Sequence, residues 1–353
     1  RGDEALYVTE DFRDPFVFFN EAEGLWWLLV GTRKVGAPRA RAGCVGLFKS
    51  ADLSAWKRCE PLWGPGYAPY ADCPQVIREA GRYYLLYLQR TTLYRFAPSL
   101  AGPWERAPER DLLPHTAFAG SRLASDGRRW VSFPFMCARV DQNEFGAILN
   151  GQAYSIPRQL EFHPDGTITE GPPDELLAAW QALPALEPAL LSTAQSLTGQ
   201  WEVDVSGAVR TQTGGLLLIP EAPGDFYLEA DLTLARRESD FRLFFRLADD
   251  LASGYEVAFS PSEGLVSLRP TSYWDNSLVL QTRGYEAPIG QPKKLRLVVS
   301  GTCCEVFIAD QLSLSARLYK RLEGSLAFEF VDAPGALTNL RLRALDRAER
   351  DVL

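Results

Sequence analysis

The stretch EGLWWLLVGTR, from Glu23 to Arg33, decides how the chain is read. A turn glycine, Gly24, leads straight into a run of tryptophans, leucines and a valine. Such residues fill strands packed on both sides, where clean apolar–polar alternation is lost. The arrangement returns twice. Gly81 is followed by RYYLLYLQR and Gly127 by RRWVSFPFM, at intervals of 57 and 46 residues. A fourth turn, PDGTI at Pro164 to Ile168, follows 39 residues after the third. Late in the unit a second element recurs: SADLSAWKR (Ser50 to Arg58) and APSLAGPWERAP (Ala97 to Pro108) each set a Trp shortly after a Leu. The period and strand content match the four-stranded blades of a β-propeller.

Beyond these units the texture changes. DELLAAWQALPAL, Asp174 to Leu186, opens on acidic residues and carries Pro184, so a short, interrupted helix is expected there. From about Gln200 the segments FYLEADLTLARR, DFRLFFRLAD, GYEVAFS, LVSLRP, KKLRLVVSG, CEVFIAD and GSLAFEFVD alternate apolar and polar residues. This is the pattern of an antiparallel sandwich. The expected division is a propeller over residues 1–172, a linker with a short helix over 173–199 and a β-sandwich over 200–353.

The 353 residues exceed what one ordinary core holds, and 46% hydrophobic with 12% aromatic content describes a packed globular chain. A net charge of −8 without a basic cluster disfavours nucleic acid as a partner. No apolar run reaches the roughly 20 residues of a membrane span. The six cysteines include no CxxC pair, and only His115 and His163 accompany them, so neither a structural metal nor a cofactor is expected. Six unpaired thiols lean towards a cytoplasmic, reducing compartment, with secretion left open. The chain opens on Arg1 and its one methionine is Met136, so further sequence is expected upstream.

Two aspartates stand at the start of the first strand of consecutive units. Asp14, in FRDPFVFFNEAEG, lies ten residues before Gly24, and Asp72, in ADCPQVIREAG, lies nine before Gly81. A proline follows each within two residues. In a propeller the innermost strands line the central channel, so acids at equivalent starts meet at one mouth. Paired carboxylates across a sugar are what glycosidic cleavage needs. A lone Asp before a strand is ordinarily a turn or capping residue, and Arg13 beside Asp14 can form a plain ion pair. Recurrence in two units is what favours chemistry.

FRDPFVF (Phe12 to Phe18) resembles the Arg-Asp-Pro motif of glycoside hydrolase family 32, and ADCPQVI (Ala71 to Ile77) resembles its Glu-Cys-Pro motif. SIPRQLEFHPDGTI (Ser155 to Ile168) is similar to its Pro-Arg-Glu-Leu segment, and the Leu53–Trp56 element is also similar. The resemblance implies an all-β protein: a five-bladed propeller, its first blade partly or wholly missing from this chain, followed by a C-terminal sandwich. It implies a retaining hydrolase or transglycosidase of β-fructofuranosides. Asp14 would then stabilise the transition state, Arg13 would shape the sugar contacts, and Asp72 would be the general acid with Cys73 packed beside it. Two departures stand out. The family's Asn-Asp-Pro nucleophile motif has no counterpart, since neither Asp3 nor Asp11 has its context, and Asp72 replaces a glutamate.

Other candidates are weaker. Tyr67 and Tyr70, in the loop WGPGYAPYAD before Asp72, are expected to touch substrate. Arg158 could reach sugar hydroxyls or form a strand-edge ion pair. Glu144, in the polar loop RVDQNEFG, is a substitute acid or simply solvated. Trp26, Trp27, Tyr83, Tyr84 and Trp130 read mostly as core. The rival functions are an arabinosidase- or xylosidase-like propeller and a glycan-binding propeller without catalysis. In each case the partner is an oligosaccharide or disaccharide.

Overall fold

The computed structural model describes residues 6–89, 91–108, 113, 120–149, 154–272 and 279–345; Asp3 and His115 lie outside them. Two compact units emerge. Among the described residues, the first draws on 6–113, 120–134 and 160–169, the second on 135–159 and 170–345.

The aromatic runs of the first unit become the inner strands of its sheets. β1 (Arg13–Asn20), β2 (Leu25–Arg33), β3 (Gly43–Ser50) and β4 (Lys57–Trp63) form one antiparallel sheet in sequence order. β5 (Asp72–Glu79), β6 (Arg82–Gln89) and β7 (Thr91–Ala97) form the next. Trp27, Leu29, Val45, Leu47 and Trp63 of the first sheet share a core with Val76, Leu85 and Tyr87 of the second. Sheets packed face to face in this way leave their strands little alternation, as the sequence indicates.

The third sheet differs from a count of turns. β8 (Ser121–Ser125) and β9 (Trp130–Pro134) flank the Gly127 turn. After the short pair β10 (Ala138–Arg139) and β11 (Ile148–Leu149), the strands β12 (Arg158–Phe162) and β13 (Ile168–Gly171) flank the Gly166 turn. The sheet order is β13-β12-β9-β8. The third and fourth turn glycines therefore belong to one sheet, because the chain between them returns to pair beside β9. Four turns mark three sheets. At Gly166, φ is 88° and a Cβ would lie 2.3 Å from the Phe96 ring, so the turn needs glycine for both backbone and space.

The second unit is built on two seven-stranded antiparallel sheets. One runs, in spatial order, through Gln195–Ser196, Gly215–Ile219, Ser325–Phe330, Phe241–Leu247, Ser253–Ser260, Leu265–Ser272 and Gln281–Gly284. The other runs through Trp201–Asp204, Ala208–Thr211, Gly335–Ala344, Phe226–Leu234, Lys293–Ser300, Cys303–Ile308 and Leu312–Arg317. Alternate residues of both enter one core: Phe241, Leu243 and Phe245 from the first, Phe226, Leu228 and Ala230 from the second. The second sheet's other face is covered too. Tyr227, Val298 and Phe307 pack with Trp180 of helix α1 (Asp174–Ala182). Pro184 ends that helix, and a second, α2 (Glu187–Ser192), follows with proline in its first turn. No helix among the described residues is long and apolar enough to cross a membrane.

Candidate active site

β1 and β5 carry the same irregularity. Pairing of β1 with β2 slips between Arg13 and Phe16, and pairing of β5 with β6 slips between Asp72 and Gln75. Each slip is a bulge closed by a proline, and each contains one residue in the left-handed region: Asp14 at φ 55° and Cys73 at φ 49°. Holding a non-glycine residue there costs about 1–2 kcal/mol, strain that tends to be stored at functional sites.

The two bulges set the true correspondence. Arg13-Asp14-Pro15 matches Asp72-Cys73-Pro74, so Asp14 is equivalent to Cys73 and Asp72 to Arg13. Counting back from the turn glycines puts the aspartates in register with each other. That register is off, because the turn after β1 is longer than the turn after β5. The carboxylates still converge, through crossed pairs between like positions. Arg13 Nη1 meets Asp72 Oδ2 at 3.3 Å. Cys73 donates to Asp14 Oδ2 from its backbone N–H at 3.0 Å and from its thiol at 3.4 Å. Among the described residues Asp14 Oδ1 takes no hydrogen bond.

The surroundings fix this cluster. Asp11 joins Arg13 at 2.7 Å and also pairs with Arg33, whose Nε donates to the Pro69 carbonyl at 2.9 Å. Gly31, opposite Arg13 in register, leaves room for Asp72: a Cβ there would sit 3.0 Å from the Asp72 Cα. Burial raises Asp72 above the usual carboxylate range; Arg13 opposes that shift and Asp14 adds to it. This is the direction an acid catalyst needs. Burial, reinforced by Asp14, pushes the Cys73 thiol up to about 12, so it remains a protonated donor rather than a nucleophile.

Of the loop tyrosines, Tyr67 is 57% exposed, with its hydroxyl accepting from Arg95 Nη2 at 2.9 Å and its ring edge-on to Trp63. Tyr70 is half-buried and its carbonyl accepts from Gln89 Nε2 at 3.0 Å. Trp27 and Tyr84 are core residues, while Trp26, Tyr83 and Trp130 are half-buried.

Arg158 and Glu144 require correction. Arg158 is fully buried in the second unit, paired with Glu305 and bonded to Ser315 Oγ at 2.7 Å and Ser155 Oγ at 2.6 Å. It has no exposed face for a sugar. Glu144 is not a solvated loop residue. Its Oε1 accepts from the Tyr255 hydroxyl at 2.5 Å and from the Tyr319 and Lys320 amides, both at 2.8 Å. Burial works to raise its pKa, but these donors outweigh it and the net direction is down, opposite to the shift a proton donor needs. Removing one donor by Tyr255→Phe is expected to cost about 1.5–3 kcal/mol in urea unfolding at neutral pH. A lowered folded-state pKa gives stability that is present above the ordinary carboxylate pKa and lost below it. The difference between variant and wild type should therefore shrink in acid; a constant difference would contradict an ionised Glu144.

Sequence reasoning passed over Arg122, at the start of β8, whose Nη1 donates to the Pro74 carbonyl at 3.0 Å and the Cys73 carbonyl at 3.4 Å. No group of three or more His, Cys, Asp or Glu able to hold a metal ion occurs among the described residues.

Comparison with known proteins adds to this geometry. The family model for the glycosyl hydrolases family 32 N-terminal domain matches residues 3–91, which include both bulges. A levansucrase of Erwinia amylovora is 29% identical over 133 residues, covering 29% of this chain and 32% of the levansucrase. The chain thus spans about a third of that curated relative. Among solved structures, a sucrose-6-phosphate hydrolase from Lactobacillus gasseri is similar with a TM-score of 0.66 at 16% identity, covering 96% of this chain and 67% of that one. A fructan 1-exohydrolase from Cichorium intybus in complex with 1-kestose gives 0.64 at 15% identity, covering 98% and 73%. A Bombyx mori family 32 β-fructofuranosidase gives 0.64 at 16% identity, covering 97% and 68%. At these identities the likeness is one of fold.

Proposed function

We propose that this chain, whose residues 3–91 match the family model for the glycosyl hydrolases family 32 N-terminal domain, cleaves or transfers β-fructofuranosides such as sucrose and fructans. We read its first-unit sheets as blades of a five-bladed propeller spanning residues 1–172, joined by 173–199 to a sandwich over 200–353. One observation carries the functional reading: Asp14 and Asp72, from bulges of neighbouring sheets, are locked together through Cys73 and Arg13.

The chemistry follows from the two environments. Asp72, raised by burial, holds a proton for the oxygen of the leaving sugar. Asp14 is anchored through Oδ2 and turns Oδ1 to the hydroxyls of the fructosyl ring, where hydrogen bonds strengthen as positive charge develops. Arg13, bridging Asp11 and Asp72, orients the acid and supplies a donor at the mouth. Retention further requires a carboxylate nucleophile that bonds the anomeric carbon as the leaving sugar departs with the Asp72 proton; its displacement by water then gives hydrolysis and by a sugar hydroxyl gives transfer.

The reading is tested by following sucrose, inulin and levan with the full chain by proton NMR. The expected result is fructose, or a fructosylated acceptor, appearing first as the β-anomer, since a retaining reaction conserves configuration. First release of the α-anomer would indicate inversion. Turnover of an α-arabinofuranoside in preference to all three would transfer the protein to the arabinosidase-like reading. Saturable binding without turnover would leave a glycan-binding propeller.

A further inference from the structure

β8 begins Ser121-Arg122-Leu123, a stretch that belongs to no motif identified above. Its start is stapled to β5 by a buried amide. Gln75 donates from Nε2 to the Leu123 carbonyl at 2.7 Å and accepts at Oε1 from the Leu123 N–H at 3.0 Å. Gly120 permits the approach, since a Cβ there would stand 3.2 Å from Cys73 Sγ. The staple fixes the backbone beside Arg122, and the guanidinium then lies over the β5 bulge, donating to the Cys73 and Pro74 carbonyls.

These carbonyls belong to the segment whose N–H and S–H point at Asp14. A left-handed non-glycine residue is unfavourable by itself, and charge-assisted bonds to its own carbonyl and the next one offset that cost. We propose that Arg122 is a positioning residue for the carboxylate pair, drawing the Cys73 and Pro74 carbonyls to one side of the bulge so that the Cys73 donors face Asp14 and Asp72 stays at Arg13. The proposal rests on the reading of Asp14 and Asp72 as the reacting carboxylates and adds a third sheet to the machinery. Among the described residues, the other two guanidinium nitrogens of Arg122 make no hydrogen bond, so its fixed contacts are those with the bulge.

The test compares wild type, Arg122→Met and Arg122→Lys as full chains, by amide hydrogen exchange and by carbon NMR titration of the Asp72 carboxyl. In Arg122→Met the Cys73 amide is expected to exchange about tenfold faster or more, a local opening, while Val76 and Ile77 on the same strand keep their protection. The Asp72 midpoint is expected to move. Arg122→Lys, which retains charge and donors, should restore both. Unchanged Cys73 exchange in a folded Arg122→Met overturns the proposal. So does acceleration spread evenly along β5, which marks Arg122 as a packing residue. Should Arg122→Met fail to fold, Arg122→Gln carries the test, with partial loss of Cys73 protection expected and none overturning it.

Sucrose turnover in the same proteins separates this inference from the function. Where wild type is active, kcat should fall about tenfold or more in Arg122→Met, equivalent to 1.36 kcal/mol, with KM nearly unchanged and recovery in Arg122→Lys. A wild type without turnover whose Cys73 amide still depends on Arg122 removes the fructosidase reading and leaves the positioning role standing.

Discussion

Asp72→Asn is expected to lower kcat on sucrose by about 10²–10⁴-fold, the range supplied by a positioned general acid. The substitution keeps size and shape and removes the proton. It also leaves Arg13 an ion-pair partner, Asp11 at 2.7 Å. Two further results distinguish lost acid catalysis from simple damage. A fructoside with an activated leaving group, which needs no protonation, should be cleaved at nearly the wild-type rate. The pH profile should also change shape. Burial holds the Asp72 pKa above the ordinary carboxylate range against the pull of Arg13, so wild-type activity should fall as pH rises through that elevated value. The variant should lose this limb. Stability moves the other way. A raised folded-state pKa favours the native state below the ordinary carboxylate pKa, and that stability is lost as pH rises through the elevated one. Asp72→Asn removes this loss, so at neutral pH it should unfold no more easily than wild type. Unaltered kcat in a folded Asp72→Asn would end the assignment of Asp72 as the acid.

The legible parts of this protein are the ones whose signals are local. The runs after Gly24, Gly81 and Gly127 announce their strands because aromatic residues beside a turn glycine have few other uses. The sandwich strands Phe226–Leu234, Phe241–Leu247 and Lys293–Ser300 show their alternation openly. Leu312–Arg317 escapes notice because its serines read as surface, yet Ser313 and Ser315 are buried against Glu170 and Glu305. The sharing of one sheet by the Gly127 and Gly166 turns is equally hidden, since it depends on a returning chain. In the site, the prolines after Asp14 and Cys73 were the better rulers. They mark the bulges, whereas the turn glycines measure distance through turns of unequal length. Arg122 carries no motif at all. Glu144 looked like loop because its donors, Tyr255 and Tyr319, lie 111 and 175 residues away in sequence.

Arg158→Met is expected to destabilise the second unit by about 3–5 kcal/mol, the cost of removing one partner from a buried ion pair. The guanidinium is enclosed by Glu305, by Glu170 at 3.6 Å and by three hydrogen-bonding neighbours. Methionine fills much of the same volume, so the loss reflects charge rather than a cavity. Two carboxylates would then remain in the interior. Ser313 donates to Glu170 at 2.6 Å and Ser315 to Glu305 at 2.5 Å. Burial raises the Glu305 pKa even with Arg158 opposing it, and without Arg158 the value should climb further. The pH dependence then has a definite sign. A carboxylate with a raised folded-state pKa contributes stability that is full below the unfolded value, about 4.3 for glutamate, and is lost as pH rises through the folded one. The deficit of Arg158→Met should accordingly be largest at neutral pH and diminish in acid, and adding Glu305→Gln should recover part of it. Urea unfolding at two pH values measures all three quantities. A deficit that grows in acid would mean that Arg158 acts through packing.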